Sequence, residues 1–175
     1  MTKVKREGLW VGSRVLVEDK PFQDSLLSKG FGGRKEGSFI LSLNEVLYLL
    51  EKKQIKLKDA KNKVVDFSLL LKETSKKDNG ALMSFTVFKD LKQKGFVVKT
   101  GSKFGFPFRV YPKGKIPGQS HSKYVILILS QEKKFTMFQF TRAVRMASTL
   151  HTKLLFAFVD DENEIIYFGV ERELF

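Results

Sequence analysis

The sequence predicts an α/β protein with a mixed β-sheet, divided into a small N-terminal α/β domain at residues 1–82 and a C-terminal α/β domain at residues 83–175. Helix signals alternate with short apolar segments of strand length, which is typical of the α/β class. The apolar run Tyr124–Leu129 indicates a central strand covered on both faces. The polar stretch Ser75–Gly80 contains Asn-Gly, which favours a loop near the domain boundary.

In the N-terminal part, residues 9–17 are apolar around Gly12-Ser13 and predict a short hairpin. The motif Ser42-Leu43-Asn44-Glu45 has capping-box spacing and predicts a helix over about residues 43–53. Ile55 and Leu57 indicate a strand. Asp66 is a candidate N-cap for a further helical element over about residues 67–76.

In the C-terminal part, two helices and five strands are predicted. Phe85, Phe88 and Leu91 share one face of a helix that ends at Gly95, because glycine readily adopts the left-handed conformation of a helix terminus. Thr136 begins a second capping box and predicts a helix to about Leu150. The predicted strands are Phe96–Val98, Phe108–Tyr111, Tyr124–Leu129, Leu154–Val159 and Ile165–Val170, with a turn at Asp160–Asn163 between the last two.

Composition excludes several kinds of chemistry. With no cysteine and two histidines, the chain has no disulfide, thiolate metal site or cysteine nucleophile. No Walker loop or Gly-x-Ser-x-Gly elbow is present, and the glycine-rich segment Gly30–Gly33 is interpreted as a flexible loop. The acidic cluster Asp160–Glu164 fits a solvated turn better than a magnesium site. The prediction is therefore a protein without metal or cofactor, and the lack of a long apolar run or apolar leader predicts a cytoplasmic location.

Charge indicates a polyanionic partner. The chain carries 32 lysines and arginines against 19 acids, a net charge of +13. Nine basic residues lie between Lys89 and Lys123, with Asp90 as the one acid there. Aromatic residues are interleaved with these basic residues. Lysines suit a phosphate backbone and aromatic rings can stack on unpaired bases, so the segment favours RNA.

Metal-free RNA cleavage requires a base for the 2′-OH, an acid for the departing 5′-oxygen and a cation for the phosphorane. Tyrosine, histidine and lysine fill these roles together, provided that nearby cations lower the tyrosine pKa. Tyr111 ends a predicted strand, His121 precedes the next, and Lys153 stands where a helix gives way to a strand. Taken singly, each also fits an ordinary structural or surface role. His151 is a weaker candidate for the acid.

The residues resemble those of the archaeal tRNA splicing endonuclease family. The resemblance rests on the order and spacing of motifs over the C-terminal half and is looser in the N-terminal half, at Gly37–Phe39, Leu43 and Glu45–Leu50. The C-terminal motifs are Val98–Gly105, Phe108–Tyr111, His121–Tyr124, and Arg145 through Lys153 to Asp160. The resemblance implies a C-terminal restriction-endonuclease-like α/β domain with a central mixed sheet. It also implies metal-independent cleavage of precursor tRNA at bulge-helix-bulge junctions, giving 2′,3′-cyclic phosphate and 5′-hydroxyl ends.

Carried over residue by residue, the resemblance implies Tyr111 as general base, His121 as general acid and Lys153 as phosphorane stabiliser. It implies an RNA contact at Arg145, and the basic segment adds Lys103, Arg109 and Lys123 as candidate RNA-binding residues. Relatives carry their catalytic lysine as the first of the two residues before paired leucines, where this chain has Thr152. An ungapped alignment therefore places Thr152 at that position, and the register decides whether Lys153 serves instead.

The resemblance also implies an assembly of four units, as a homotetramer or as a heterotetramer with a paralogous subunit. The family docks an acidic loop into a basic cleft, and the corresponding loop here, Ser130–Lys134, has one acid. This favours a more acidic paralogue as partner. Leu174-Phe175 and the strand Ile165–Val170 are candidates for a two-fold dimer contact. The alternatives are a non-catalytic structural subunit that binds RNA and a catalytic paralogue, and a nuclease-like protein that binds or cuts DNA.

Overall fold

The computed structural model describes residues 5–101, 103, 105–115, 117–118, 120–130 and 134–173. The chain divides into two compact units at residues 85 and 86, each with its own mixed sheet, so the α/β prediction is confirmed. This division and the boundary predicted at residues 82 and 83 both fall within one helix, Ala81–Gln93. Ser102, Phe104, Gln131–Lys133, Leu174 and Phe175, which the sequence interpretation used, lie outside the described residues.

The first unit combines a sheet with three helices in its described part. In chain order, its elements are β1 (Glu7–Val11), β2 (Arg14–Val17), α1 (Lys20–Ser28), β3 (Gly33–Lys35), β4 (Ser38–Ser42), α2 (Leu43–Glu51), β5 (Lys56–Lys58), β6 (Val64–Val65) and α3 (Phe67–Ser75). The sheet order is β3-β4-β2-β1-β5-β6, with β1 and β5 parallel and the other neighbours antiparallel.

The predicted turn and caps of this unit are confirmed. Gly12 adopts φ +62 in the turn between β1 and β2, a conformation that glycine tolerates without strain. Ser42 and Glu45 form a complete capping box at α2, and the Asp66 side chain accepts a hydrogen bond from the backbone N–H of Leu69 at the start of α3. These polar signals therefore set the helix starts.

Residues 30–32 form an irregular connection between α1 and β3, so the interpretation of Gly30–Gly33 as a loop is confirmed except at Gly33, and the connection is anchored to the core. Phe31 is buried in the core, the N–H of Gly32 donates to Glu45 Oε1 (2.8 Å), and Gly33 begins β3. Gly32 has φ +63, and a Cβ there would lie 2.5 Å from the Phe39 ring. The glycine at this position therefore permits a close, hydrogen-bonded approach of the backbone to the core.

The second unit is a five-stranded sheet with helices. Its described elements are α4 (Ala81–Gln93), which begins before the division, β7 (Val97–Gly101), β8 (Phe106–Tyr111), β9 (Tyr124–Ser130), α5 (Met137–Thr149), β10 (Lys153–Val159) and β11 (Ile165–Val170). The sheet order is β11-β10-β9-β8-β7, in which β9 and β10 are parallel and the other neighbours are antiparallel. The prediction of Tyr124–Leu129 as a central strand is confirmed.

One face of this sheet packs against α5. Val144 and Ala147 join Val125, Leu154 and Phe156 in a buried cluster. The N-cap Thr136 forms the predicted capping box with Gln139. On the opposite face, the rings of Phe88 in α4 and Phe108 in β8 lie 5.8 Å apart. The two helices thereby fix the sheet whose edge carries the candidate site.

Among the described helices, none is long and apolar enough to cross a membrane.

Candidate active site

Three chain segments meet at one edge of the C-terminal sheet, the edge formed by the end of β8 and the starts of β9 and β10. Val110 of β8 is in register with Tyr124 of β9, and Tyr124 with Lys153 of β10. The Lys123 N–H donates to the Val110 carbonyl (2.8 Å), and the Lys153 N–H donates to the Lys123 carbonyl (3.2 Å). Tyr111 directly follows Val110, and His121 stands two residues before Lys123. These hydrogen bonds therefore bring the backbones at Tyr111, His121 and Lys153 to the same edge.

The environment of the Tyr111 phenol raises its pKa, whereas the sequence-based prediction required a lowered pKa. Tyr111 is 1% exposed, and burial raises its pKa. The Arg109 guanidinium lies 5.4 Å from the ring centroid and favours the phenolate, but it offsets the burial only in part. The expectation that basic surroundings lower this tyrosine pKa is therefore wrong for the free protein, because desolvation of the phenolate outweighs the nearby charge.

Both histidines are exposed and lie at this end of the sheet. His121 belongs to the connection between β8 and β9. His151 follows the last turn of α5, adopts φ +50, and donates its N–H to the carbonyl of Ser148 (3.0 Å). The left-handed conformation of His151 ends α5 and leads the chain into β10.

Lys153 is the first residue of β10, and its side chain forms an ion pair. Its Nζ lies 2.6 Å from Oε1 of Glu171, which follows β11. The hydrogen bond to this carboxylate, followed by its charge, raises the pKa of Lys153. The ammonium of Lys153 is therefore engaged by a carboxylate in the free protein.

The strand register also determines from which face of the sheet each of these side chains leaves the backbone. Adjacent residues of a strand point to opposite faces, and residues paired across strands share a face. Val110, Tyr124 and Lys153 therefore share one face, whereas Tyr111 belongs to the opposite face, the one that α5 covers. Lys153 must pass around the sheet edge to reach a group bound beside Tyr111.

An open cavity of about 510 Å³ lies where α5 ends and β10 begins. Among the described residues, the charged side chains that line it are Lys123, Lys153, Glu171 and Arg172, and His151 also contributes. Its hydroxyl groups come from Ser122, Ser148 and Thr152. The Thr152 Oγ1 is buried and has no hydrogen-bond partner among the described residues. The charged groups of the cavity are predominantly basic, and neither Tyr111 nor His121 lines it.

The predicted RNA-binding residues are spread over the unit. Lys123 is exposed, and its Nζ lies 5.1 Å from the centroid of the Tyr124 ring. Arg109 is half-buried over Tyr111, and Arg145 is exposed on α5. Lys103 is exposed in the turn between β7 and β8. This turn lies about 17 Å from Tyr111, at roughly 3.4 Å per residue along β8. Lys103 is therefore not part of the edge that gathers the candidate catalytic residues.

Sequence reasoning missed Glu171 and did not foresee the buried hydroxyl of Thr152. Val170 pairs with Leu154, so Glu171 stands level with Lys153. This relation depends on strand pairing across a turn and is not visible from local sequence. Pairing the last two predicted strands outward from the predicted turn at Asp160–Asn163 is the signal that could have placed Glu171 beside Lys153.

The acidic turn is organised by hydrogen bonds. Asp160 Oδ1 accepts from the N–H groups of Glu162 (3.0 Å) and Glu164 (2.8 Å). Over the described ranges, no group of three or more histidine, cysteine or acidic side chains is arranged to hold a metal ion.

Residues 81–167 match the family model described as tRNA intron endonuclease, catalytic C-terminal domain, and residues 6–71 match tRNA intron endonuclease, N-terminal domain. The chain belongs to the tRNA intron endonuclease family. The sequence-based resemblance is thereby confirmed. The family is one of endonucleases, and this chain contains its catalytic domain.

Archaeal relatives named tRNA-splicing endonuclease are similar along most of the chain. The protein of Methanothermobacter thermautotrophicus is 36% identical over 143 residues, which cover 81% of each chain. The protein of Methanococcus vannielii is 32% identical over 157 residues, covering 90% of this chain and 88% of the relative. The protein of Methanosarcina barkeri is 35% identical over 175 residues, covering 97% of this chain but 49% of the relative. That relative is therefore about twice as long as the matched region.

Proposed function

We propose that this chain is a metal-independent tRNA-intron endonuclease that cleaves precursor tRNA at bulge-helix-bulge junctions in the cytoplasm. The products are a 2′,3′-cyclic phosphate and a 5′-hydroxyl. The family membership, the names of the relatives and the net charge of +13 support RNA as substrate. The observation that carries the proposal is the pair of backbone hydrogen bonds that joins the ends of β8, β9 and β10.

In this reaction the 2′-oxygen attacks the adjacent phosphorus and the bond to the 5′-oxygen breaks. Tyr111 takes the proton of the 2′-OH as general base. His121 donates a proton to the departing 5′-oxygen as general acid. The Lys153 ammonium stabilises the negative charge that gathers on the phosphorane. Each proton thus has a donor and an acceptor without a metal-bound water.

Arg109 is assigned a second role besides binding RNA. Because its guanidinium lies 5.4 Å from the Tyr111 ring, it opposes the effect of burial and favours the phenolate that the base role requires. Lys123 and Arg145 are proposed to contact phosphates close to the cleaved linkage. Lys103, at the far end of the β7–β8 hairpin, is proposed to contact RNA farther away, so the footprint extends beyond the site of cleavage.

The proposal is tested by cleavage of a short bulged RNA in EDTA, with His121→Ala and His151→Ala compared. The wild-type chain should cleave in EDTA, and His121→Ala should lose about 10²- to 10⁴-fold in rate, the range of general acid–base catalysis. The loss should be larger for His121→Ala than for His151→Ala. Undiminished activity of His121→Ala would defeat the assignment, and cleavage that requires Mg²⁺ and acts equally on DNA would favour the DNA-directed alternative.

A second function is favoured by one observation, the sheet register. Lys153 begins on the face opposite Tyr111, whereas the preceding residue, Thr152, begins on the Tyr111 side, although both residues line the cavity. This arrangement supports a non-catalytic structural subunit that binds RNA and a catalytic paralogue. Under that proposal the purified chain binds RNA without cutting it, and Thr152→Lys creates cleavage. Cleavage by the wild-type chain alone would reject the structural role.

Assembly into four units, as a homotetramer or with a paralogous subunit, is part of the proposal. The strand β11 is at the edge of its sheet, and it exposes Ile166 and Phe168. An exposed apolar edge strand supports a two-fold contact there. Native mass measurement of the chain alone distinguishes the two assemblies, because a compact tetramer of the single chain excludes the need for a paralogue.

A further inference from the structure

Lys153 and Glu171, which form an ion pair, both line the cavity that adjoins the proposed cleavage site. The Nζ to Oε1 distance is 2.6 Å. Among the described residues, Glu171 is the one acid of the lining, and the basic residues of the lining are Lys123, His151, Lys153 and Arg172. A carboxylate at this position neutralises the side chain to which phosphorane stabilisation is assigned.

The position of Glu171 follows from strand pairing. Because Val170, the last residue of β11, is opposite Leu154, the next residue of the chain, Glu171, lies beside Lys153, the first residue of β10. The same register aligns Lys153 with Tyr124 and Val110, on the face opposite Tyr111. Pairing with Glu171 thus holds the ammonium at the β11 side of Lys153, away from a linkage bound beside Tyr111.

We propose that Glu171 is a positioning residue for Lys153 that an RNA phosphate displaces when the substrate binds. The inference rests on the proposed function, since it concerns the same lysine. In the free protein the carboxylate holds the ammonium at the end of β11. In the complex a phosphodiester oxygen replaces the carboxylate, and the long lysine side chain turns around the sheet edge toward the phosphate.

The exposure of the pair allows such an exchange. The side chains of Lys153 and Glu171 are 64% and 59% exposed, so water and salt screen their attraction. A phosphodiester carries the same charge as the carboxylate and offers a comparable hydrogen bond. Glu171 therefore competes with the substrate for one ammonium, and its removal should favour binding.

The test measures affinity for a bulged RNA that carries a 2′-deoxy sugar at the cleaved linkage and so cannot react. Glu171→Gln retains the shape of the side chain and removes its charge. It should bind about two- to five-fold more tightly than wild type at low salt, the range open to an exposed ion pair. The gain should disappear at high salt, where the competing carboxylate is already screened.

The control is Glu173→Gln, which makes the same change of charge two residues later at an exposed side chain. Only Glu171→Gln should lose its effect when Lys153 is also replaced by methionine, a coupling that a double-mutant cycle measures. Single-turnover cleavage supplies a second readout: Glu171→Gln should raise kcat/KM at low salt. Circular dichroism verifies that all variants are folded.

Equal gains for the two glutamine variants, or a gain that persists without Lys153, would overturn the inference and indicate only a general effect of net charge. Slower cleavage by Glu171→Gln would also overturn it, since the carboxylate would then hold Lys153 in the productive position. Failure of the proposed function is a separate result. In that case wild type does not cleave the all-ribose RNA, whatever the variants do to affinity.

Discussion

Replacing Tyr111 with phenylalanine removes the one oxygen assigned to proton abstraction and leaves the buried ring in place. An ordinary tyrosine has a pKa near 10, so about 0.1% of the phenol is ionised at pH 7. Burial raises the pKa of Tyr111 further, with Arg109 offsetting part of the rise. If phenolate is the base, its population grows about tenfold for each unit by which the pH increases, as long as the pH is below that pKa.

We therefore expect the cleavage rate of the wild type to rise with pH, and Tyr111→Phe to lose this rise. The variant should be slower by about 10²- to 10⁴-fold at neutral pH, because it loses general base catalysis. Its free energy of unfolding should change by only about 1 kcal/mol, the contribution of a typical hydroxyl interaction, since the ring still fills the core.

The assay is single-turnover cleavage of a bulged RNA in EDTA at a series of pH values, with affinity measured separately on the 2′-deoxy RNA. Tyr48→Phe makes the same chemical change in the N-terminal unit and should cleave as wild type does. A Tyr111→Phe variant with wild-type rate would refute the base assignment. A variant that loses affinity and rate in equal proportion would indicate that Tyr111 supports binding instead.

Two predictions concern stability. Glu45 accepts hydrogen bonds from the N–H of Gly32 and from the N–H and hydroxyl of Ser42. Glu45→Ala should therefore lower the free energy of unfolding by about 2–4 kcal/mol in urea titrations. A loss below about 0.5 kcal/mol would contradict this anchoring role. Burial and the hydrogen bond to Asp90 raise the pKa of Tyr167. The phenol of the unfolded chain titrates near pH 10, so the stabilising contribution of Tyr167 is fully present below pH 10 and is lost at higher pH. Tyr167→Phe should cost about 1–2 kcal/mol at pH 8 and flatten the loss of stability above pH 10; an unchanged alkaline slope would contradict it.

The sequence predicted the elements whose signals are local. Capping residues and apolar runs identified α2, α3, α5 and the strands of the C-terminal sheet, because each signal lies within a few residues of the element that it starts or fills. The helix α1 was missed although Asp19 caps it and Pro21 stands in its first turn, since its buried residues are few, namely Phe22 and Leu26. The short strands β3, β4 and β6 were also missed, because partners elsewhere in the chain define them.

The candidate site was predictable in its residue types but not in its electrostatics. The order of Tyr111, His121 and Lys153 along alternating elements indicated one sheet edge, and the described strand register agrees with that placement of their backbones. The burial that raises the Tyr111 pKa and the pairing of Lys153 with Glu171 depend on packing and register between distant segments. Neither the burial of Tyr111 nor the ion pair of Lys153 can be read from the pattern of residue types alone.

The most direct test of the catalytic arrangement is a crystal structure of the assembled protein with a bulge-helix-bulge RNA that carries a 2′-deoxy sugar at the cleaved linkage. We predict that the Tyr111 phenol lies beside the 2′ position, the His121 imidazole within hydrogen-bond reach of the 5′-oxygen, and the Lys153 ammonium on a non-bridging oxygen, having left Glu171. A scissile phosphate bound away from Tyr111 and His121, with Lys153 still paired to Glu171, would contradict the mechanism.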